Sequence, residues 1–372
     1  MNALKQFGFW LTLFPVALCI SATTSLMAFV VFLISIAVNR KVIVLDLFLV
    51  FLLASFALGW MRAVPEGKEY VVSQVASYVV FTFALRFFYV CREDLLAFIL
   101  KLTPMAYGVL CLVYLAAQLY IGYTYEVGVL EAFLLIRLAI SDRRRVLLLT
   151  MFIVYMLLEY MISTRSTPMI VAMLIVAVFV FRPPRRPMQL FYIAVIILTP
   201  AYGFLMYHWD IELDVSGVDD NAAIRLEMIK GATSLIGVKE FLLGTGLGVP
   251  FRNMDYDYAF SHPLLNSFHD VMQVSNHNSI FDFFLRFGVV AYILFALIIL
   301  KAGSLSNILS PRSYALVFIT LYNLSVNAYL DSTRLTVACA MLIAGVFFAC
   351  ERTVPRAKQV TSSTAAAHPA PT

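Results

Sequence analysis

The sequence predicts an all-α, polytopic integral membrane protein: about twelve transmembrane helices, with one large, partly helical loop on the outer side between the ninth and tenth. Three observations lead there. Of 372 residues, 62% are hydrophobic and only 13% are charged, against roughly 25% charged in an average soluble domain. A soluble chain of this size lacks the interior to hide so much apolar surface. The apolar runs also lack a polar face, which suits a helix surrounded by hydrocarbon. Finally, lysine and arginine gather in short clusters between the runs, as residues that orient spans do. The net charge of +5 is therefore no sign of a nucleic-acid partner.

Crossing the bilayer core takes roughly 20 apolar residues. Runs approaching that length lie near 8–22, 24–38, 43–60, 70–90, 102–121, 126–140, 146–162, 167–181, 189–207, 278–300, 313–328 and 335–350. The first follows Lys5 as a signal peptide would. It has no small-residue cleavage site and runs straight into more apolar sequence, so it reads as a span. With the N-terminus inside, the cytoplasmic connections hold twelve basic residues: Arg40, Lys41, Arg92, Lys101, Arg143, Arg144, Arg145, Arg182, Arg185, Arg186, Lys301 and Arg312. The short outer connections hold four, Arg62, Lys68, Arg165 and Arg334. That bias places both termini in the cytoplasm. The chain divides into helices 1–9 (1–207), an outer loop (208–277), helices 10–12 (278–350) and a polar tail (351–372). The tail, rich in serine, threonine, alanine and proline, is expected to be disordered.

The outer loop carries ten acids against Arg225, Lys230, Lys239 and Arg252. Loops of that length are usually functional. Asn221 is placed to cap a helix from Ala222 to about Leu243, with Ile224, Met228, Leu235 and Ile236 as its apolar stripe. Gly244-Thr245-Gly246-Leu247-Gly248 ends it. The five cysteines fall in or beside apolar spans, so none staples this loop.

Ionisable groups mark three places where the outer surface can do chemistry. Ser163-Thr164-Arg165-Ser166-Thr167-Pro168 is a polar break between two spans, and a guanidinium there suits a phosphate. An interfacial snorkelling arginine explains the same residue. Arg225 lies one turn into the loop helix, with Lys230 nearby; a solvated charged face is the plainer account. In Asn276-His277-Asn278-Ser279-Ile280-Phe281-Asp282-Phe283-Phe284-Leu285-Arg286-Phe287-Gly288, charges enter a span, where they are costly. Asp282 and Arg286 are four apart, so a mutual ion pair accounts for both. His277, at the mouth of the span, suits a general base, with Asn278 to orient its ring. Asp255-Tyr256-Asp257 is the pair that Mg²⁺ would use, but such pairs are frequent in acidic loops and no cofactor is expected. Among His262, His269 and His277 there is no zinc spacing.

From about Met156 to Ile299 the chain resembles the superfamily of O-antigen ligases and O-antigen (exopolysaccharide) polymerases. The resemblance rests on Ser163–Arg165, on Arg225 in its loop helix, on Glu240-Phe241-Leu242-Leu243-Gly244-Thr245-Gly246-Leu247-Gly248, and on His277-Asn278 followed by a span and Gly288. Ser166-Thr167-Pro168 departs from it, standing where a small residue is expected. The resemblance implies a glycosyltransferase of the bacterial inner membrane that uses an undecaprenyl-diphosphate-linked oligosaccharide and passes the glycan to another glycan or to lipid A core. A flippase and a chain-length regulator would be its partners. On this reading Arg165 and Arg225 stabilise the leaving diphosphate, and His277 takes the proton from the acceptor hydroxyl in one inverting displacement. Asn278, Asp282 and Arg286 support them. The alternative is a secondary transporter or flippase for a polysaccharide precursor, with Asp46, Glu159, Asp282 and Arg286 lining its path, or a scaffold of an export complex.

Overall fold

The computed structural model describes residues 9–10, 47–121, 129–141, 143–163, 171–173, 175–176, 185–209, 228–252, 272–273, 278–304, 316, 319–320, 324 and 336–345. These are overwhelmingly helical. Helix α1 spans Leu47–Arg62, α2 Lys68–Val90, α3 Arg92–Lys101, α4 Pro104–Ile121, α5 Val129–Ile140, α6 Arg145–Ser163 and α7 Arg185–Trp209. After them come the short α8 (Val238–Leu243), a two-residue antiparallel ladder of β1 (Phe251–Arg252) with β2 (Met272–Gln273), and α9 (Ser279–Ser304). The last apolar helix, α10, covers Thr336–Gly345.

Among the described residues, α2 and residues Arg145–Ile162 of α6 are each long and apolar enough to cross a membrane. Helices α3 and α4 make a third such unit if taken as one span bent by 93°. The surface is inverted relative to a soluble protein. Leu53, Met105, Leu112 and Leu198 are well exposed, while Gln74, Glu131, Glu159, Asp282 and Arg286 are buried. Exposed apolar faces, with a few buried polar groups set in an apolar core, suit a lipid solvent.

Three helix breaks carry the same signature. In α7, the ring of Pro200 removes the N–H that would bond the Ile196 carbonyl. The Tyr292 hydroxyl of α9 donates to that carbonyl instead. Where α3 gives way to α4, the Tyr107 hydroxyl donates to the Ile99 carbonyl over 3.3 Å. In α9, Gly288 leaves the helical region altogether, with φ 74° and ψ 176°. The Leu285 and Arg286 carbonyls before it accept bonds from the segment after α8. At each break a carbonyl before it finds a partner elsewhere in the protein.

The structure corrects several details. The stretch 92–101, expected as a plain connection, is a helix. Leu95, Leu96, Phe98 and Ile99 form its buried stripe, and Thr103 with Pro104 restarts the chain as α4. Phe9 docks on this bundle: it is buried, its ring 5.7 Å from that of Phe87 and 5.6 Å from Phe98. Of the segment expected at 126–140, the described residues Val129–Ile140 are helical. The loop helix expected to run unbroken from Ala222 to Leu243 is interrupted. Residues 228–233 are helical, and the chain then turns before α8. Gly237 has extended backbone at the α8 N-cap, and its N–H donates to Glu240 Oε2 at 3.1 Å, which fixes a new helix start there. The expected end at Gly244 is correct; its φ of 81° stops the helix.

Candidate functional site

The helix that follows His277 begins with a cap. Asn278 Oδ1 accepts the Phe281 N–H at 3.0 Å, and the Asn278 carbonyl accepts the Asp282 N–H at 2.8 Å. Asparagine is a favoured N-cap because its side chain satisfies a donor that the first helical turn leaves over. The side-chain oxygen of Asn278, the residue expected to orient His277, is thus engaged on the helix itself.

One turn on, the ion pair predicted from spacing is present. Arg286 Nε lies 3.4 Å from Asp282 Oδ1, with side chains 0% and 1% exposed. Neither charge is left to this pair alone. Gln74 Nε2 on α2 donates to Asp282 Oδ2 at 3.2 Å, and the Gln74 side-chain oxygen accepts the Gly248 N–H. Arg286 Nη1 donates to the Val249 carbonyl at 2.6 Å and to the Gly246 carbonyl at 3.4 Å. The glycine segment 244–248 therefore does not lie free in the long loop; it is threaded between α1, α2 and α9.

The threading uses backbone on both sides. Thr245 N–H bonds the Leu285 carbonyl at 2.8 Å, Gly246 N–H bonds the Arg286 carbonyl at 3.3 Å, and Ser55 Oγ on α1 donates to that same carbonyl at 2.9 Å. Leu247 N–H returns to the Ser55 carbonyl at 3.0 Å. Two glycines make this possible. Gly288 holds a positive φ of 74°, and a Cβ there would collide with the Leu242 carbonyl. Gly59 lets α1 touch the loop: a Cβ on it would overlap the Leu247 carbonyl. The β1–β2 ladder then returns the chain to the same place, pairing Phe251 with Gln273. Gln273 is five residues before Asn278, so both ends of the acidic stretch 253–271 are tied at this joint.

On its outer side the joint is closed by Arg62, in the last turn of α1. Its Nη2 lies 2.9 Å from Glu240 Oε1, and its Nη1 donates to the Gly244 and Thr245 carbonyls at 3.4 Å. Beside it, the rings of Phe204, Phe241 and Phe284 form a triangle with centroids 5.8–6.0 Å apart. A cavity of about 450 Å³ opens next to them, lined by Ala201, Phe204, Leu205, His208 and Trp209.

A second polar cluster lies between α4, α5 and α6. Tyr155 donates to Glu131 Oε1 at 2.6 Å, and Gln118 Nε2 donates to Glu159 Oε1 at 2.8 Å. Both carboxylates are buried.

Of the residues singled out in the sequence, the structure brings together Asp282, Arg286 and the 244–248 segment, and it places Asn278 at the head of the same helix. Arg165, Arg225 and His277 lie outside the described residues, as do Asp46, Asp255 and Asp257. Arg286 is sealed from any ligand, so its part is to position the backbone. Ser55, Gln74 and Arg62 were not foreseen. A signal existed: Ser55, Gly59 and Arg62 recur at helical spacing within an apolar run, marking one face of α1 that approaches backbone. Comparison of the chain with protein-family models, curated proteins and solved structures finds no match.

Proposed function

We propose that this chain is a polytopic inner-membrane glycosyltransferase of about twelve spans, moving a glycan from undecaprenyl diphosphate to a glycan or lipid A core acceptor at the periplasmic face. One observation carries the reading. Two pieces of the resemblance lie some 30 residues apart in sequence, Glu240–Gly248 and Asn278–Gly288, and they form a single joint through Arg286, Thr245 and Gly246. That joint holds the helix headed by Asn278, the residue that follows His277 in the sequence. The apolar cavity beside Phe204 supports the reading further, offering a place for the first isoprene units of the donor. Arg165 and Arg225 would meet the diphosphate charge as the sugar leaves, and His277 would accept the acceptor's proton.

The test uses purified protein and a lipid-linked donor. Arg165→Ala or Arg225→Ala should each cut transfer on the order of 10²–10³, and Lys should rescue only in part because it lacks the bidentate fork. His277→Ala should lose turnover yet still bind donor. Activity should persist in excess chelator, and Asp255→Asn with Asp257→Asn should be tolerated; loss with chelator and return with Mg²⁺ would sink the metal-independent mechanism. Reporter fusions after Arg145, Arg186 and Arg312 should read cytoplasmic and a fusion near Asp219 should read outside.

Burial of Glu131 and Glu159 within the helices favours a second reading, a transporter or flippase of a polysaccharide precursor. Vesicles that move the lipid-linked glycan across the bilayer while forming no new glycosidic bond would select it.

A further inference from the structure

The three consecutive arginines at the start of α6 orient a span in the sequence reading, but their surroundings point to more. Only four residues join α5 to α6. Arg143 N–H donates to Ser141 Oγ at 3.3 Å, and Arg144 takes a φ of 56°, a left-handed conformation unusual for a residue with a side chain. This tight turn sets Arg143, Arg144 and Arg145 at the head of a 19-residue helix, whose first N–H groups and dipole already favour an anion.

Behind the turn lies Arg137, in the last turn of α5. It is only 6% exposed, and its Nε and Nη1 have no hydrogen-bond partner among the described residues. Its carbonyl accepts the Ser141 N–H at 3.2 Å, so it stands directly at the base of the turn. A buried guanidinium whose N–H groups lack acceptors is costly, and an anion set against them removes that cost. In front of the turn the chemistry changes at once. Val146 is 78% exposed and Leu147 50% exposed, and with Arg144 and Arg145 they line a shallow hollow of about 360 Å³.

We propose that this turn binds an anionic phospholipid, its phosphate held between Arg137, Arg143 and the α6 N-terminus, its acyl chain laid along Val146 and Leu147. Phosphate chemistry alone would also suit a free anion, but the apolar pair directly beside the cations favours a lipid. On the topology proposed above this end of α6 faces the cytoplasmic leaflet, where anionic lipids attract basic clusters. The site depends on the chain lying in a membrane and not on glycan transfer, so it stands or falls apart from the proposed activity.

The full-length protein, purified and stripped of lipid in detergent, provides the test. Native mass spectrometry should count phosphatidylglycerol retained after its re-addition, with thermal unfolding followed alongside. Phosphatidylglycerol should bind and raise the melting temperature, whereas phosphatidylcholine and inorganic phosphate should do neither. Arg143→Gln with Arg144→Gln, both on the exposed turn, should weaken retention about fivefold for each arginine removed; Arg137→Gln should weaken it too. Equal protection by phosphatidylcholine, or full protection by inorganic phosphate alone, refutes the lipid site. Unchanged retention in the double variant refutes it as well. Asp142, the sequence neighbour of the turn, supplies the internal rival. If Asp142→Asn destabilises as much as Arg137→Gln while lipid has no effect, the guanidinium is neutralised within the chain and the proposal fails.

Discussion

At the joint between α1, α2 and α9 the buried charges are of opposite sign and sit on one helix, whereas between α4, α5 and α6 they are two carboxylates on different helices. The joint uses its charge to hold backbone. Arg286 bonds the carbonyls of Gly246 and Val249, and Asp282 reaches Gly248 through Gln74. The carboxylates instead take hydrogen bonds from neutral side chains, Tyr155 and Gln118, and hold helices to helices. The contrast separates a rigid fixture, where removing one atom group frees a loop, from contacts between side chains, where removal loosens helix against helix.

Breaking the fixture should have the largest effect. Arg286→Met leaves Asp282 buried without its cation and should cost about 3–5 kcal/mol, measured by chemical unfolding of the purified protein in detergent. Arg286→Met combined with Asp282→Leu should recover much of that loss, because no uncompensated charge then remains. A double variant as unstable as the single one would mean that the carbonyl bonds to the glycine segment, and not the ion pair, carry the joint.

Glycine sharpens the comparison at the next level. Gly59→Ala would push a Cβ into the Leu247 carbonyl and should cost about 1–3 kcal/mol. Gly108, in α4, has ordinary space beside it: a Cβ there would meet Met151 Cε at 3.5 Å. Gly108→Ala should stabilise its helix by roughly 0.5–1 kcal/mol. Melting temperatures moving in opposite directions would confirm that backbone approaches backbone in one region and side chain meets side chain in the other.

The joint was only partly legible in the sequence, and the reasons are physical. Spacing alone yields the Asp282–Arg286 pair, because four residues is one helical turn. The end of α8 at Gly244 was equally visible, since a glycine after an apolar stripe marks a helix stop. The threading of 244–248 was not visible, because it depends on Gln74 and Ser55, residues some 170 to 190 positions away whose polarity reads as incidental within apolar runs. The break at Gly288 was hidden for a related reason. An isolated glycine in an apolar run is tolerated by a helix, and only the carbonyls of Leu285 and Arg286, taken by another segment, make it a true stop. The helix 92–101 was lost to its charged ends, which look like a connection until Leu95, Leu96, Phe98 and Ile99 are seen as a stripe.

In the carboxylate region the expected effects are smaller. Tyr155→Phe deletes one hydrogen bond to Glu131 and should cost about 0.5–1.5 kcal/mol. Glu131→Gln keeps an oxygen for the same phenol and should cost less than Tyr155→Phe. If Glu131→Gln were instead as damaging as Arg286→Met, this carboxylate would be paired with a cation and the contrast between the two regions would collapse.

The smallest effect should come from the outer closure of the joint. Arg62 and Glu240 meet at 2.9 Å, but their side chains are 33% and 23% exposed. Solvent and salt screen such a pair, and double-mutant cycles of exposed pairs give roughly 0.2–1 kcal/mol. The 3.4 Å bonds from Arg62 to the Gly244 and Thr245 carbonyls are long and add little. Arg62→Gln, Glu240→Gln and the double change should therefore show a coupling within that range, shrinking as salt is raised. Glu240→Gln should also keep α8 capped, because the amide oxygen can still accept the Gly237 N–H. A coupling above about 2 kcal/mol that persists in high salt would place Arg62 inside the fixture with Arg286. The rigid part of the joint would then reach the outer surface, and the glycine segment would be clamped from both ends.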